Sequence, residues 1–100
     1  MRAVFTQGPG DADGAEIDRL LLAEGLSPYQ WSNGPQATYS AHSHGYHKIV
    51  YCLKGGITFM VGDERFEMKP GDRLDIDPQT MHSAVVGPDG VVCVEAPRHT

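Results

Sequence analysis

The chain has 100 residues, of which 40% are hydrophobic, and it contains 12 Gly and 7 Pro. This length supports a single folded domain, because two separate cores would each be too small to be stable. The formal net charge is −5 and Lys and Arg form no cluster, so we expect no nucleic acid and no membrane partner. No stretch approaches the roughly 20 apolar residues that cross a bilayer, and the N-terminus lacks the apolar core of a secretion signal. A cytoplasmic protein is therefore expected.

Residues 1–36 are predicted to form an N-terminal arm, one short helix and a connecting segment. Within the arm, RAVF (2–5) is suited to a short edge strand. Asp13 and Glu16 have the spacing of a capping box, and Gly25 is a suitable helix end. Apolar residues recur at helical intervals between these signals, at Ile17, Leu20 and Leu21. The pattern predicts a helix over about residues 14–24.

The segment SPYQWSNGP (27–35) contains two prolines and an Asn-Gly pair, which predicts an irregular connection anchored by Tyr29 and Trp31. Residues 37–100 are predicted to form the barrel. Its strand-like runs are ATYSAH, KIVYCL, ITFMV, ERFEM, RLDI, SAVV and VVCVE, separated by turn signals at 55–56, 62–63, 69–72 and 87–90. Short strands at this spacing predict an antiparallel sandwich or barrel. Cys52 and Cys93 each lie inside an apolar run, which favours buried free thiols.

Four of the five histidines fall in two places, with His42, His44 and His47 close together and His82 about 35 residues later. Alternate residues of a strand point the same way, so His42 and His44 present two imidazoles on one face. Closure of the sheet could bring His82 beside them. Three neutral imidazoles form a good site for a divalent transition metal, whereas surface or hydrogen-bonded core histidines are the alternative.

The segments HSHGYHKIVYCLKG (42–55) and PGDRLDIDPQTMH (70–82) resemble the two signature motifs of the cupin superfamily. The residues that match these motifs in register are His42, His44, Gly55, Gly71, Pro78 and His82. The resemblance covers about residues 37–96 and is to small, single-domain RmlC-like cupins. It implies an all-β fold, a jelly-roll-like antiparallel barrel with one short N-terminal helix. It also implies a metal held inside the barrel by His42, His44 and His82, and often a homodimer.

The sequence departs from the family motifs at two positions. Gln79 stands where the second motif has Gly, and Lys48 stands where the first motif has a Glu ligand. A protonated lysine cannot coordinate a metal. At about 5 Å and an effective dielectric near 20, its repulsion from a divalent ion would be roughly 6–7 kcal/mol. Either Lys48 turns outward and His47 supplies a fourth ligand, or Lys48 stays inside and a bound anion bridges the two charges. The first alternative is preferred because it needs no unseen partner.

These features predict a metal-binding cupin that acts on a small-molecule ligand or substrate. The metal would be Fe, Ni, Mn, Cu or Zn, and a dioxygenase-like or isomerase-like metalloenzyme is one interpretation. A module that binds a metal or small ligand without turnover, and a structural barrel with a vestigial site, are the alternatives. Asp75, Asp77 and Glu95 are expected to be mainly solvated, and the expected packing residues are Tyr46, Tyr51 and Phe59.

A homodimer is also predicted from the strand patterns. KIVYCL and VVCV are apolar on both faces, so the face away from the barrel interior needs cover. The cover would come from a second copy of the chain or from the N-terminal segment.

Overall fold

The computed structural model describes residues 2–99 and has one helix among antiparallel strands, so the predicted all-β class is confirmed. The elements in chain order are β1 (Ala3–Thr6), α1 (Gly14–Ala23), β2 (Tyr29–Asn33), β3 (Thr38–His42), β4 (His47–Val61), β5 (Glu64–Met68), β6 (Arg73–Ile76) and β7 (His82–Arg98). Within residues 2–99, no helix combines the length and apolar character needed to span a membrane.

Strands β4 and β7 form the central pair of the sheet and run antiparallel along almost their whole length. The sheet follows the order β1-β6-β4-β7-β2, with β3 added to β7 and β5 added to β4. Because β3 and β7 are direct neighbours, the end of β3 lies beside the start of β7. This pairing brings together histidines that lie far apart in the sequence.

The turns expected at 55–56 and 87–90 do not end strands, because β4 and β7 continue through them. The β4–β7 pairing instead shifts register, once between Cys52 and Lys54 and again between Gly55 and Ile57. Gly55 has φ +72°, and a Cβ there would lie 2.0 Å from a backbone oxygen of Gly90. Glycine at 55 therefore marks a bend within a long strand, where two backbones approach too closely for any side chain.

Helix α1 lies where the sequence predicts it. The side chain of Asp13 accepts a hydrogen bond from the backbone N–H of Ala15 at 3.0 Å, which caps the first turn. Gly25 follows the helix with φ +80°, a conformation that glycine adopts without steric cost. The predicted helix is confirmed, as are the edge strand in residues 2–5 and the hairpin turn at 62–63.

The helix covers one face of the sheet, called the outer face. Its buried Ile17 and Leu21 pack in one apolar cluster with residues of β4 and β7, namely Ile49, Tyr51, Val94 and Ala96. The alternate residues of the same strands, such as Val50 and Cys52, lie in a second cluster on the opposite, inner face. The two-sided apolar pattern of these strands is thus accounted for by the N-terminal helix of the same chain.

The segment 27–35 contains a strand, so the prediction of an irregular connection is wrong for Tyr29–Asn33. Strand β2 pairs with β7, with Trp31 opposite Cys93 and Tyr29 opposite Glu95. Pairing with a neighbouring strand, which local turn signals do not report, outweighs the prolines on either side. Segments before residue 37 therefore join the same sheet as the barrel strands.

Candidate metal centre

Three predicted ligands, His42, His44 and His82, meet in space. His42 ends β3 and lies directly opposite His82, the first residue of β7, while His44 follows two residues after β3. Their ring centroids are 4.4 Å apart for His42 and His82, 4.9 Å for His42 and His44, and 5.2 Å for His44 and His82. One nitrogen from each ring lies within 4.8 Å of the others, so the cluster could hold a metal ion.

Backbone carbonyls orient two of these rings. Nδ1 of His42 lies 2.6 Å from the carbonyl oxygen of Ser40, and Nδ1 of His82 lies 2.9 Å from that of Thr80. A carbonyl only accepts, so each Nδ1 carries the hydrogen and each Nε2 keeps its lone pair free. Metal-binding histidines are commonly held in this way by a partner on the other ring nitrogen.

The Nε2 atoms of His44 and His82 are buried, and neither has a hydrogen-bond partner among residues 2–99. A buried polar atom without a partner costs about 1–3 kcal/mol, so such an atom calls for a partner such as a bound water or ion. Two of them in one cluster of neutral imidazoles fit a divalent transition metal well.

The pKa values of His44 and His82 both lie below the usual histidine value. Burial is the main cause for each ring, because it disfavours the charged form, and the charge of Lys48 lowers both pKa values further. These rings are therefore neutral at pH 7. Metal binding needs this state, since a protonated imidazole has no free lone pair.

Gln79 explains how one motif departure is tolerated. Its φ is +63°, the left-handed conformation that glycine adopts freely and other residues adopt at some cost. In this conformation its backbone N–H donates to the carbonyl oxygen of His44 at 2.7 Å. The loop before His82 thus holds the His44 segment in place even with glutamine at this position.

A cavity of about 430 Å³ adjoins the cluster and is open at one side. Its walls combine His42 and His44 with aromatic side chains, chiefly Trp31, Tyr39, Tyr46 and Phe59. The Tyr46 ring stacks on His44 with centroids 4.7 Å apart, and Phe59 lies 6.4 Å from the His82 ring. The expected packing role of Tyr46 and Phe59 therefore includes a share of the cavity wall. Tyr51 is buried beneath helix α1.

Lys48 and His47 lie on opposite faces of β4, and their orientations reverse the preferred alternative. Lys48 points into the cavity, and its Nζ lies 3.4 Å from Oε1 of Glu95. His47 points to the outer face, where its Nε2 donates to Oδ2 of Asp75 at 2.7 Å. Strict alternation along the strand places these neighbours on opposite sides. The structure therefore brings three of the four predicted ligands together and leaves His47 outside the cluster.

Glu95 is a cavity residue whose burial the sequence did not predict. It is only 4% exposed, although a solvated position was expected, and it accepts hydrogen bonds from Tyr29 Oη at 2.8 Å and Trp31 Nε1 at 2.7 Å. Two signals in the sequence point to this group. A carboxylate at the end of the apolar run VVCVE needs buried partners, and Tyr29 and Trp31 have the two-residue spacing of one strand face.

Both cysteines are buried and free, as predicted. Burial is the main cause that raises the pKa of the Cys52 thiol to about 11, and the pKa of Cys93 is also raised. Neither thiol is a ready nucleophile at neutral pH, because the thiolate is the reactive form. The chemistry of the site therefore rests on the histidines and the cavity.

The chain is similar to quercetin 2,3-dioxygenase of Bacillus subtilis (strain 168), with 31% identity over 88 residues. The alignment covers 80% of this chain but only 26% of that protein, so the chain spans about a quarter of its relative.

Two solved structures share the fold. An RmlC-like cupin from Shewanella frigidimarina has a TM-score of 0.65 and 21% identity, covering 72% of this chain and 64% of that one. DMSP lyase DddQ from Ruegeria pomeroyi has a TM-score of 0.68 and 20% identity, and the match covers 74% of this chain and 38% of that one. The family model described as "Cupin domain" matches residues 31–94, which include all three clustered histidines. The chain belongs to the cupin family.

Proposed function

We propose that this chain is a small-molecule metalloenzyme that binds one divalent transition metal through His42, His44 and His82. The observation that carries the proposal is the pair of buried, unpartnered Nε2 atoms that converge with His42. A structural barrel with a vestigial site would gain stability by filling or pairing such atoms. Imidazole donors suit Fe, Ni, Cu and Zn, and Mn is a further candidate.

The open cavity beside the cluster supports a role with a small molecule. Its volume lies within the range of ligand pockets, and its walls combine aromatic side chains with a similar number of polar and charged groups. A bound divalent ion would supply Lewis acidity there and, if redox-active, a route for electrons. The chain's own residues would bind the substrate, orient it and limit the access of water. Dioxygenase-like or isomerase-like chemistry is proposed, and a metal-binding module without turnover is the alternative.

Metal content tests the proposal directly. Protein purified without chelator should contain about one transition metal per chain, measured by elemental analysis. Replacement of both His42 and His44 by Ala should abolish binding, since two of three ligands are lost. A variant that still holds about one metal per chain would contradict the assignment. Screening of oxygen uptake with small diketones, phenols and thiols would then separate an oxygen-using enzyme from a binding module.

We also propose that the chain forms a homodimer. The helix accounts for the two-sided apolar strands, so the support comes from the ends of the sheet. Strands β1 and β2 end the main sheet path, and each carries a large exposed apolar residue, Val4 at 46% and Tyr29 at 51%. Open strand edges readily pair with another chain. Light scattering at micromolar concentration should give twice the chain mass, and a monomeric mass would contradict the dimer.

A further inference from the structure

The lysine in the cavity is a buried cation with an incomplete set of partners. Lys48 is 9% exposed as a residue and its side chain is 11% exposed, so the side chain is largely removed from solvent. Its Nζ lies 3.4 Å from Oε1 of Glu95, longer than the roughly 2.7–2.9 Å of a good charge-assisted hydrogen bond. An ammonium has three hydrogen-bond donors, and a single loose ion pair leaves donor capacity for another group.

Glu95 is already well satisfied without the lysine. Tyr29 donates to one of its oxygens at 2.8 Å and Trp31 donates to the other at 2.7 Å. These two shorter contacts fix the carboxylate in the cavity wall. Glu95 therefore offsets the charge of Lys48 from a fixed position, without using all of the lysine's donors.

Lys48 lies in the same cavity as the histidine cluster. Its Nζ is 5.8 Å from the centroid of the Phe59 ring, and that ring is 6.4 Å from His82. The ammonium also contributes to the lowered pKa values of His44 and His82, after burial. The lysine and the cluster therefore border one low-dielectric space, in which both can contact the same ligand.

The charges in this space favour an anion. The Lys48 and Glu95 charges cancel, and the three imidazoles are neutral ligands, so the two charges of a divalent ion remain without an anionic ligand from the cluster. A glutamate at position 48, as in the family motif, would supply that negative charge, but this chain has a cation there. A negatively charged ligand would offset the metal and accept hydrogen bonds from Lys48 together.

We propose that Lys48 determines specificity for small planar organic acids, whose carboxylate lies between its ammonium and the histidine cluster. The proposal rests on the metal centre proposed above. The aromatic walls supplied by Trp31, Tyr46 and Phe59 fit a flat, unsaturated body, and the acidic group faces the lysine. The ligand class is thus a planar carboxylic acid in its ionised form.

Calorimetric binding to the zinc-loaded protein tests this inference without any need for turnover. Benzoate serves as the planar acid, and benzamide serves as a neutral molecule of the same shape. Lys48→Met should raise the Kd for benzoate at least tenfold, equivalent to about 1.4 kcal/mol. Lys54→Met removes an exposed lysine of the same strand and should leave the Kd unchanged. Benzamide should bind weakly to all three proteins and with similar affinity.

A second variant keeps the test decisive if Lys48→Met fails to fold. Lys48→Arg retains the charge and should keep the preference for benzoate over benzamide. Equal benzoate affinity in the parent and Lys48→Met, or loss of the benzoate preference in a folded Lys48→Arg variant, would overturn the inference. Zinc content measured on the same samples separates two failures. If the parent holds neither zinc nor any other transition metal, the proposed function and this inference are both contradicted. If the parent holds zinc but its benzoate affinity does not depend on Lys48, only the inference is contradicted.

Discussion

The inner and outer faces of the sheet around β4 both carry charged side chains but use them differently. The charges are buried on the inner face and half-buried on the outer face. On the outer face, Arg73 contacts Asp75 and Glu24, each at 2.7 Å. On the inner face, Lys48 contacts Glu95 at 3.4 Å, and Glu95 has shorter bonds to two other donors. The outer charges are closely matched and hold elements together. The inner cation retains donors that can meet a ligand, which is the difference between a structural and a functional ion pair.

The outer network ties the helix to the sheet. Glu24, just after helix α1, binds Arg73 on β6 and also Arg98 on β7 at 2.7 Å. Arg73 further donates to the hydroxyl of Tyr51 on β4 at 3.1 Å. Because one arginine links α1, β4 and β6, its loss would affect the attachment of the helix to the whole outer face.

Replacement of Arg73 by Met should therefore cause a larger loss of stability than removal of any other single charge on the outer face. Asp75 and Glu24 would keep their negative charges in partly buried positions without their main partner. We expect a loss of about 2–3 kcal/mol, below the 3–5 kcal/mol typical of fully buried pairs. Urea unfolding measures this change, and metal content should stay at the parental value. A loss below about 0.5 kcal/mol would show that the outer network does not stabilise the fold.

The same network makes a prediction about pH. Hydrogen bonding to Arg73 is the main cause that lowers the pKa of Glu24. Burial alone would raise the pKa of Asp75, but hydrogen bonds from Arg73 and then His47 outweigh it and lower the value. Carboxyl groups with a lowered folded-state pKa stabilise the fold above their ordinary pKa, and this contribution is lost as pH falls through the lowered value.

The stability difference between the parent and Arg73→Met should thus be constant above about pH 5 and shrink below about pH 4, where the unfolded carboxyls bind protons. Urea unfolding at several pH values between 3 and 7 measures it. If this difference in the free energy of unfolding increased as the pH fell, the carboxyl groups of Glu24 and Asp75 could not be its cause.

The sequence predicted those parts of the molecule that depend on local patterns. The helix followed from Asp13, the apolar spacing and Gly25, and the histidine cluster followed from the motif order together with strand alternation. The same alternation also predicts that Lys48 shares a face with His44 and that His47 points the other way. An outward Lys48 was preferred because it needs no unseen partner, whereas β4 begins at His47 and alternates regularly from there, with Lys48 on the inner face.

The parts that could not be predicted depend on pairing between distant segments. Strand β2 forms because β7 lies beside it, and turn signals within 27–35 do not contain that information. The burial of Glu95 was missed because its donors, Tyr29 and Trp31, lie more than 60 residues away, and neither of the two sequence signals shows that these segments pair. The division into residues 1–36 and 37–100 remains a prediction, although both parts contribute strands to one sheet.

The smallest expected effect comes from His47, the neighbour of Lys48 on the opposite face. His47→Ala removes one hydrogen bond to Asp75, which keeps its bond to Arg73, so a loss of about 1 kcal/mol or less is expected for this partly exposed pair. Metal affinity should change less than twofold, because the ring points away from the cluster. His44→Ala should weaken it at least tenfold, about 1.4 kcal/mol. Competition with a chromophoric chelator measures both variants beside the parent. If His47→Ala also weakened metal binding tenfold, the ring would have to leave Asp75 and reach the cluster when metal binds. His47 would then belong to the metal site, and the outer face of β4 could no longer be described as purely structural.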